Sequence, residues 1–472
     1  MATGEAEKKT PSRLAWVRWL AARKIEVAVF LLGVLLRLSM VWNFHFGWNY
    51  DSEAHWEVIQ WILNHRMLPN VESTFESFHP PLYYAIAAFL VRLGFTRATL
   101  VWFSILCGVV RLATIWAGLE LYVVGSRWAR VAGLALAAVV CASVHLDGMV
   151  YTEPLNCLLT AVAMLLVPLG FRRSARFRWP VTVVVGFVLG LAVLTKVSAI
   201  AVLGAVGAAA LVEFVHGRRP LPARIGSALP WLGTLIVFVG VCGWYYGRNV
   251  RQYGSPFVTS FSLPSQHWLV ADAEKDGFSD RRTLGFLFDW DDGIYKSPYR
   301  PSGLNPRPRF FPVAIASSVV DYWGYGFAGY DQLGQPSTGM KPIAKVRNVS
   351  RLAALGGTVI FFAVVVAWAV SMVRVLRHRD AGRLALLLVP FVMLLATLHF
   401  VIGSPVDDYG VTKGVYMAFG APPFYALFGI AVGWAHRKPI RWPILAVLLV
   451  ALWFVAAYTV VCRLGIKIFP VT

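Results

Sequence analysis

Along most of this chain apolar residues do not alternate with polar ones; they run together. Ile25 to Val41, Val131 to Val144, Val181 to Leu194, Leu355 to Val373 and Leu384 to Leu398 are such runs. An α-helix needs ~20 such residues to cross ~30 Å of hydrocarbon, so these runs are the centres of membrane spans. About eleven spans are predicted, near 25–44, 98–123, 129–146, 149–170, 178–195, 197–215, 226–247, 351–376, 381–403, 412–433 and 441–462. One further stretch, 80–95, opens with Pro80-Pro81 and carries Arg92 near its end. At ~16 residues it is too short to span, and it predicts a helix lying in or dipping into the interface.

Composition agrees with the pattern. Of 472 residues, 58% are hydrophobic and 14% charged, outside the balance of a soluble domain, and the expected fold class is an all-α polytopic membrane protein. The net charge of +20 sits in short clusters between apolar runs rather than along one face or tail, which favours topology over a nucleic-acid partner. If short basic loops stay inside, the N-terminal tail, Arg127 with Arg130, Arg172 through Arg178, Arg218 through Arg224, Arg374 through Arg383 and Arg437 through Arg441 are all cytoplasmic. That assignment holds only if 80–95 does not cross. It places the N-terminus inside, the C-terminus outside, and loops 45–79 and 248–350 outside. Cys107, Cys141, Cys157, Cys242 and Cys462 all lie in or beside apolar runs, so neither a disulfide framework nor a zinc motif is expected.

Four regions follow. Residues 1–24 form a basic tail that reads as the flank of an uncleaved first anchor. Residues 25–247 form an N-terminal transmembrane module whose first outer loop, with interfacial helices, extends over 45–96. Residues 248–350 form a long outer loop, rich in Pro and Gly but with apolar patches at 308–320 and aromatics at Tyr322, Trp323, Tyr325 and Phe327. Residues 351–472 form the C-terminal spans. The prevalence of Ala, Val, Leu and Arg points to a GC-rich bacterial source, hence the plasma membrane.

Candidate chemistry gathers at the outer ends. The first loop reads Trp48-Asn49-Tyr50-Asp51-Ser52-Glu53-Ala54-His55-Trp56 and goes on to Glu57, Glu72 and Glu76 against the single Arg66. Helix capping explains part of this, with Asp51 or Ser52 ahead of a helix over 53–64. A carboxylate there also suits general-base work on a hydroxyl. Lys196, Arg248 and Arg251 lie at outer span ends, where they either snorkel or hold an anion. Asp147 and Glu153 fall in the turn His145 to Glu153; with Asp51 and His145 they are candidate ligands for a divalent cation, or they simply turn the chain and start the next helix. Asp289-Trp290-Asp291-Asp292 reads as a solvated turn. Arg111, inside a span, needs a partner, and Glu120 nine residues on is out of its reach.

After the acidic loop comes Phe78-His79-Pro80-Pro81-Leu82-Tyr83-Tyr84. An Asp-x-Glu-Ala-His element just outside the first span, followed by His-Pro-Pro-Leu, resembles the C-type glycosyltransferases, specifically the protein O-mannosyltransferases and the bacterial aminoarabinose transferases. Arg37-Leu38, Tyr151 to Leu155, Leu194-Thr195-Lys196, Trp244 to Asn249 with Tyr253 to Pro256, and Lys413 with Tyr416 before Pro422-Pro423 extend the resemblance. It implies transfer of a sugar from a polyprenyl-phosphate carrier, with inversion, to a protein, lipid or glycan acceptor on the outer (periplasmic or exterior) face. In these terms Asp51 is the base, and His79, Lys196, Arg248, Arg251 and Lys413 are candidates for the donor phosphate. Glu53, Asp147, Glu153, Tyr83 and Tyr416 line the site. Where the family often has an Arg-Tyr pair, this chain has Val415-Tyr416 after Asp407-Asp408-Tyr409, leaving Lys413 as the substitute charge. The alternative function is a secondary transporter or lipid flippase, which should show matched halves and ionisable residues at mid-membrane; no such symmetry is evident, and the charged candidates gather at one face.

Overall fold

The structure, a computed structural model, describes residues 22–43, 51–172, 175–216, 220–259, 283–290, 293–296, 309–321, 344–403 and 412–464. The expectations for Trp48 to Tyr50, Asp291-Asp292, Tyr322 to Phe327 and Asp407 to Tyr409 lie outside the described residues, as does most of 248–350. Among the described residues every regular element is helical. The elements used below are α1 (Lys24–Leu38), α2 (Ser52–His65), α3 (Leu82–Arg92), α4 (Arg97–Tyr122), α5 (Arg127–Val139), α6 (Cys141–Leu146), α7 (Glu153–Arg172), α8 (Ala175–Val193), α9 (Ile200–His216), α10 (Leu221–Tyr253), α11 (Phe310–Val319), α12 (Ala344–His378), α13 (Ala381–Gly403), α14 (Ala421–His436) and α15 (Trp442–Leu464).

Among the described residues eight helices are long and apolar enough to cross a membrane; they include α4, α7, α10 and α12, and the chain is an all-α polytopic membrane protein. Three of the eleven expected spans are shorter. They correspond to α1, α5 and α8, the last apolar over Arg178–Val193.

The expected span 129–146 is broken in the middle. Val140 takes extended backbone (φ −61°, ψ 116°), a region that suits a β-branched residue, and α6 starts anew beyond it. Carbonyls freed at the break must find partners in a dry interior. That of Val139 accepts the Thr459 hydroxyl at 2.7 Å, and that of Ala138 accepts Arg37 Nη1 at 3.4 Å.

Charge pairs fix the sense of the first helices. Arg23, at the start of α1, meets Glu120, near the end of α4, at 3.3 Å, and Arg130 meets the same carboxylate at 3.5 Å. Arg127 grips Glu26 at 2.9 Å. The start of α1 and the end of α4 therefore share one end of the bundle, so the end of α1 and the start of α4 share the other. Helix α3, with 11 residues, does not cross. Arg23 therefore lies at the same end as Arg127 and Arg130, as the charge pattern requires, while residues 1–21 of the tail lie outside the described residues.

Packing is close where small residues allow it. Helix α5 lies on α14, α8 on α10 and α7, and α12 on α15. At the α5–α14 crossing a Cβ on Gly429 would lie 2.1 Å from the Ala129 carbonyl oxygen, so only glycine permits the approach.

Candidate active site

The loop between α2 and α3 is held down from below. Pro80 and Pro81 bring the Leu82 amide onto the Leu194 carbonyl at 2.9 Å, so α3 starts on the end of α8, two residues before Lys196. The last turns of α10 hold the rest of the loop. Tyr245 donates toward the carbonyls of Phe78 (3.3 Å) and His79 (3.4 Å), Arg248 donates to Pro69 O (3.0 Å) and Asn70 Oδ1 (2.9 Å), and Tyr253 bonds Glu72 (3.0 Å). Arg248 thus braces the loop. Arg251, in the same last turn, is exposed.

Asp51 is the residue before α2, but its side chain makes no capping hydrogen bond, and its backbone is left-handed (φ 64°). For a residue other than glycine that conformation is uncommon, and such strain clusters at functional sites. The Asp51 carboxylate acts electrostatically on His79 and on Tyr151. Glu53, two residues on, pairs instead with Arg97 on the protein surface.

Lys196 and Lys413 converge. Lys196 pairs with Glu153, and its ammonium lies 5.5 Å from the ring centres of both Tyr151 and Tyr416. The Lys413 ammonium lies 5.7 Å from the same Tyr416 ring, with Phe400 packed edge-on against it. Both lysines are largely buried. The structure therefore brings Glu153, Lys196, Lys413 and Tyr416 together. Tyr83 stays in a hydrophobic cluster, edge-on to Tyr84 at 5.6 Å.

His79 joins this group as a neutral imidazole. Burial, and next the Lys196 ammonium, push it down to about 3, against the pull of Glu153 and Asp51. Its Nε2 lies 2.9 Å from the Glu76 carboxylate, which burial raises to about 7. His55 stacks on His79 with ring centres 5.6 Å apart, meets Tyr151 edge-on at 4.4 Å, and binds the Tyr84 hydroxyl through Nδ1 at 2.6 Å. Sequence reasoning gave no role to His55, Glu76, Tyr84 or Tyr151. The available signals were spacing: His55 lies one helical turn after Asp51, and Glu76 three residues before His79.

Asp147 belongs elsewhere. Its Oδ2 accepts from Arg37 Nε and from Arg111 Nη2, both at 2.7 Å, and all three side chains are buried. This supplies the partner that Arg111 lacked in sequence and makes Asp147 a counter-ion joining α1, α4 and α6. Of the candidate cation set Asp51, Asp147 and Glu153, Asp147 is paired with two arginines and Glu153 with Lys196. His145, expected beside them, lies 3.7 Å from Asp321. The turn that follows is locked as well, since Ser104 bonds the Met149 carbonyl and Gly148 packs against Met40. Tyr151 and Glu153 are thereby presented to the lysines from a fixed turn.

Residues 78–246, roughly a third of the chain, match the family described as dolichyl-phosphate-mannose-protein mannosyltransferase. No curated protein sequence matches the chain. Among solved structures, the oligosaccharyltransferase AglB of Archaeoglobus fulgidus in complex with an inhibitory peptide and a dolichol-phosphate superposes with a TM-score of 0.56 at 13% identity, over 95% of this chain and 56% of that one. The same enzyme tethered to an acceptor peptide gives a TM-score of 0.53 at 13% identity, over 94% and 56%. The fold is the one these structures share, and the chain spans a little over half of their length.

Proposed function

We propose that this chain is a membrane glycosyltransferase that takes a sugar from a polyprenyl-phosphate donor and gives it to an acceptor at the outer face of the membrane. The observation that carries the proposal is the convergence of the Lys196 and Lys413 ammoniums on the Tyr416 ring, in the group that Asp51 also reaches electrostatically. Two buried cations, of which Lys196 pairs with Glu153, suit an anionic group, and a polyprenyl-phosphate leaving group needs positive charge rather than a proton. The matching family carries a dolichyl-phosphate-linked sugar, and the similar archaeal enzyme is seen with dolichol-phosphate and with an acceptor peptide.

In this proposal the acceptor oxygen attacks the anomeric carbon from the face opposite the phosphate. The carbon–oxygen bond to phosphate breaks with its electron pair going to the phosphate, and the acceptor proton passes to Asp51. A single displacement inverts the anomeric centre. Residues 25–247 act as the catalytic module, 351–472 contribute Lys413 and Tyr416, and the basic end of the bundle faces the cytoplasm.

The experiment is direct binding of a polyprenyl phosphate to the purified protein in lipid nanodiscs. Lys413→Met is expected to weaken binding about 10-fold or more, the loss of one charge-assisted contact of about 1.5–3 kcal/mol. Equal affinity in a folded Lys413→Met protein would refute the phosphate site.

A further inference from the structure

His55 Nε2 and His79 Nδ1 are buried without a hydrogen-bond partner, and Glu76 Oε2, 2.9 Å from His79 Nε2, has no other. Buried polar atoms are nearly always satisfied, so two orphaned imidazole nitrogens in one group call for an explanation. The three side chains can each offer one ligand atom with all of these within 4.8 Å of one another. We infer that His55, Glu76 and His79 bind a divalent cation of the zinc class, distinct from the carboxylate set suggested by the sequence.

The donor chemistry selects the ion. Two imidazoles and one carboxylate suit Zn²⁺ and its first-row neighbours, whereas Mg²⁺ and Ca²⁺ prefer all-oxygen sets. Bonds of about 2.0–2.2 Å would draw the ligand atoms somewhat closer than they stand, leaving an open position for water or a substrate oxygen. The supports for such a site are already in place. Tyr84 takes Nδ1 of His55 at 2.6 Å, which fixes the ring and leaves Nε2 for the ion, as outer-shell partners of metal-bound histidines do. Tyr245 holds the backbone at His79, and Glu153 offsets the nearby charge of Lys196. The ion would sit beside the lysines and add positive charge there. Its binding does not depend on the transferase proposal.

The test uses full-length protein purified without a histidine tag and stripped with chelator. Zn²⁺ titration by calorimetry, with metal content by mass spectrometry, is expected to give one equivalent bound at micromolar affinity or tighter. Co²⁺ in its place should give visible absorption typical of nitrogen and oxygen ligands, while Mg²⁺ should not compete. His55→Ala and Glu76→Gln should abolish binding, and Tyr84→Phe, which keeps the shape of the pocket, should weaken it about 10- to 100-fold. Asp51→Asn should leave stoichiometry unchanged. No stoichiometric Zn²⁺ on the wild-type protein would overturn the inference, as would binding that survives intact in His55→Ala and Glu76→Gln. These readouts are ion binding, so failure of sugar transfer leaves them unaffected.

Discussion

Replacing Asp147 by asparagine keeps the shape of the side chain and removes its charge. In the native protein one carboxylate oxygen serves two guanidiniums at 2.7 Å, with side-chain exposures of 1% for Arg37, 4% for Arg111 and 0% for Asp147. The triad carries a net charge of one; without the carboxylate, two cations remain in a dry interior. Arg37 would keep the Gly33 and Ala138 carbonyls, at 2.9 and 3.4 Å, and Arg111 the distant Ser143 carbonyl at 3.5 Å. Breaking a buried pair costs about 3–5 kcal/mol, and two broken at once put this variant in the upper half of that range. The assay is unfolding of the detergent-solubilised protein with increasing denaturing surfactant, followed by tryptophan fluorescence. The midpoint should fall markedly for Asp147→Asn, and adding Arg111→Met should recover part of the loss, a coupling of about 2 kcal/mol or more. A midpoint within about 0.5 kcal/mol of wild type, or strictly additive effects, would refute the account of Asp147 as a structural counter-ion.

Two further substitutions test the scaffold around the site. Gly429→Ala should lower stability by about 1–3 kcal/mol, because the added methyl meets the Ala129 carbonyl across the α5–α14 crossing, whereas Gly207→Ala, with nothing within 4 Å, should be neutral in the same thermal melt. Arg248→Ala should release Pro69 and Asn70, so that hydrogen exchange at 69–79 speeds up about 10-fold while that of α12 and α15 stays unchanged.

The apolar runs made most of the helices legible, because length and hydropathy alone decide whether a helix can span. The non-crossing of α3 was legible too, since Arg127 could otherwise not share an end with the basic tail. The break at Val140 was not, because 131–142 is uniformly apolar and the partners that make a break tolerable, Thr459 and Arg37, come from distant spans. For the site, residue type and position marked Asp51, Glu153, Lys196 and Lys413 as candidates, all polar groups at the ends of apolar runs. Their assembly depends on tertiary contacts: α10 clasps the first loop through Arg248, and Arg111 reaches Asp147 from 36 residues away. His55 and Glu76 were hidden because a histidine and a glutamate on a short helix and loop have many ordinary uses.

The most direct test of the central claim is transfer of labelled sugar from a polyprenyl-phosphate donor to membrane acceptors, comparing wild type with Asp51→Asn at equal folded amounts. Loss of the base is expected to reduce transfer about 10²- to 10⁴-fold with donor binding retained. Undiminished transfer by Asp51→Asn would remove Asp51 as base, and no transfer by the wild-type protein from any of several such donors would contradict the proposed activity itself.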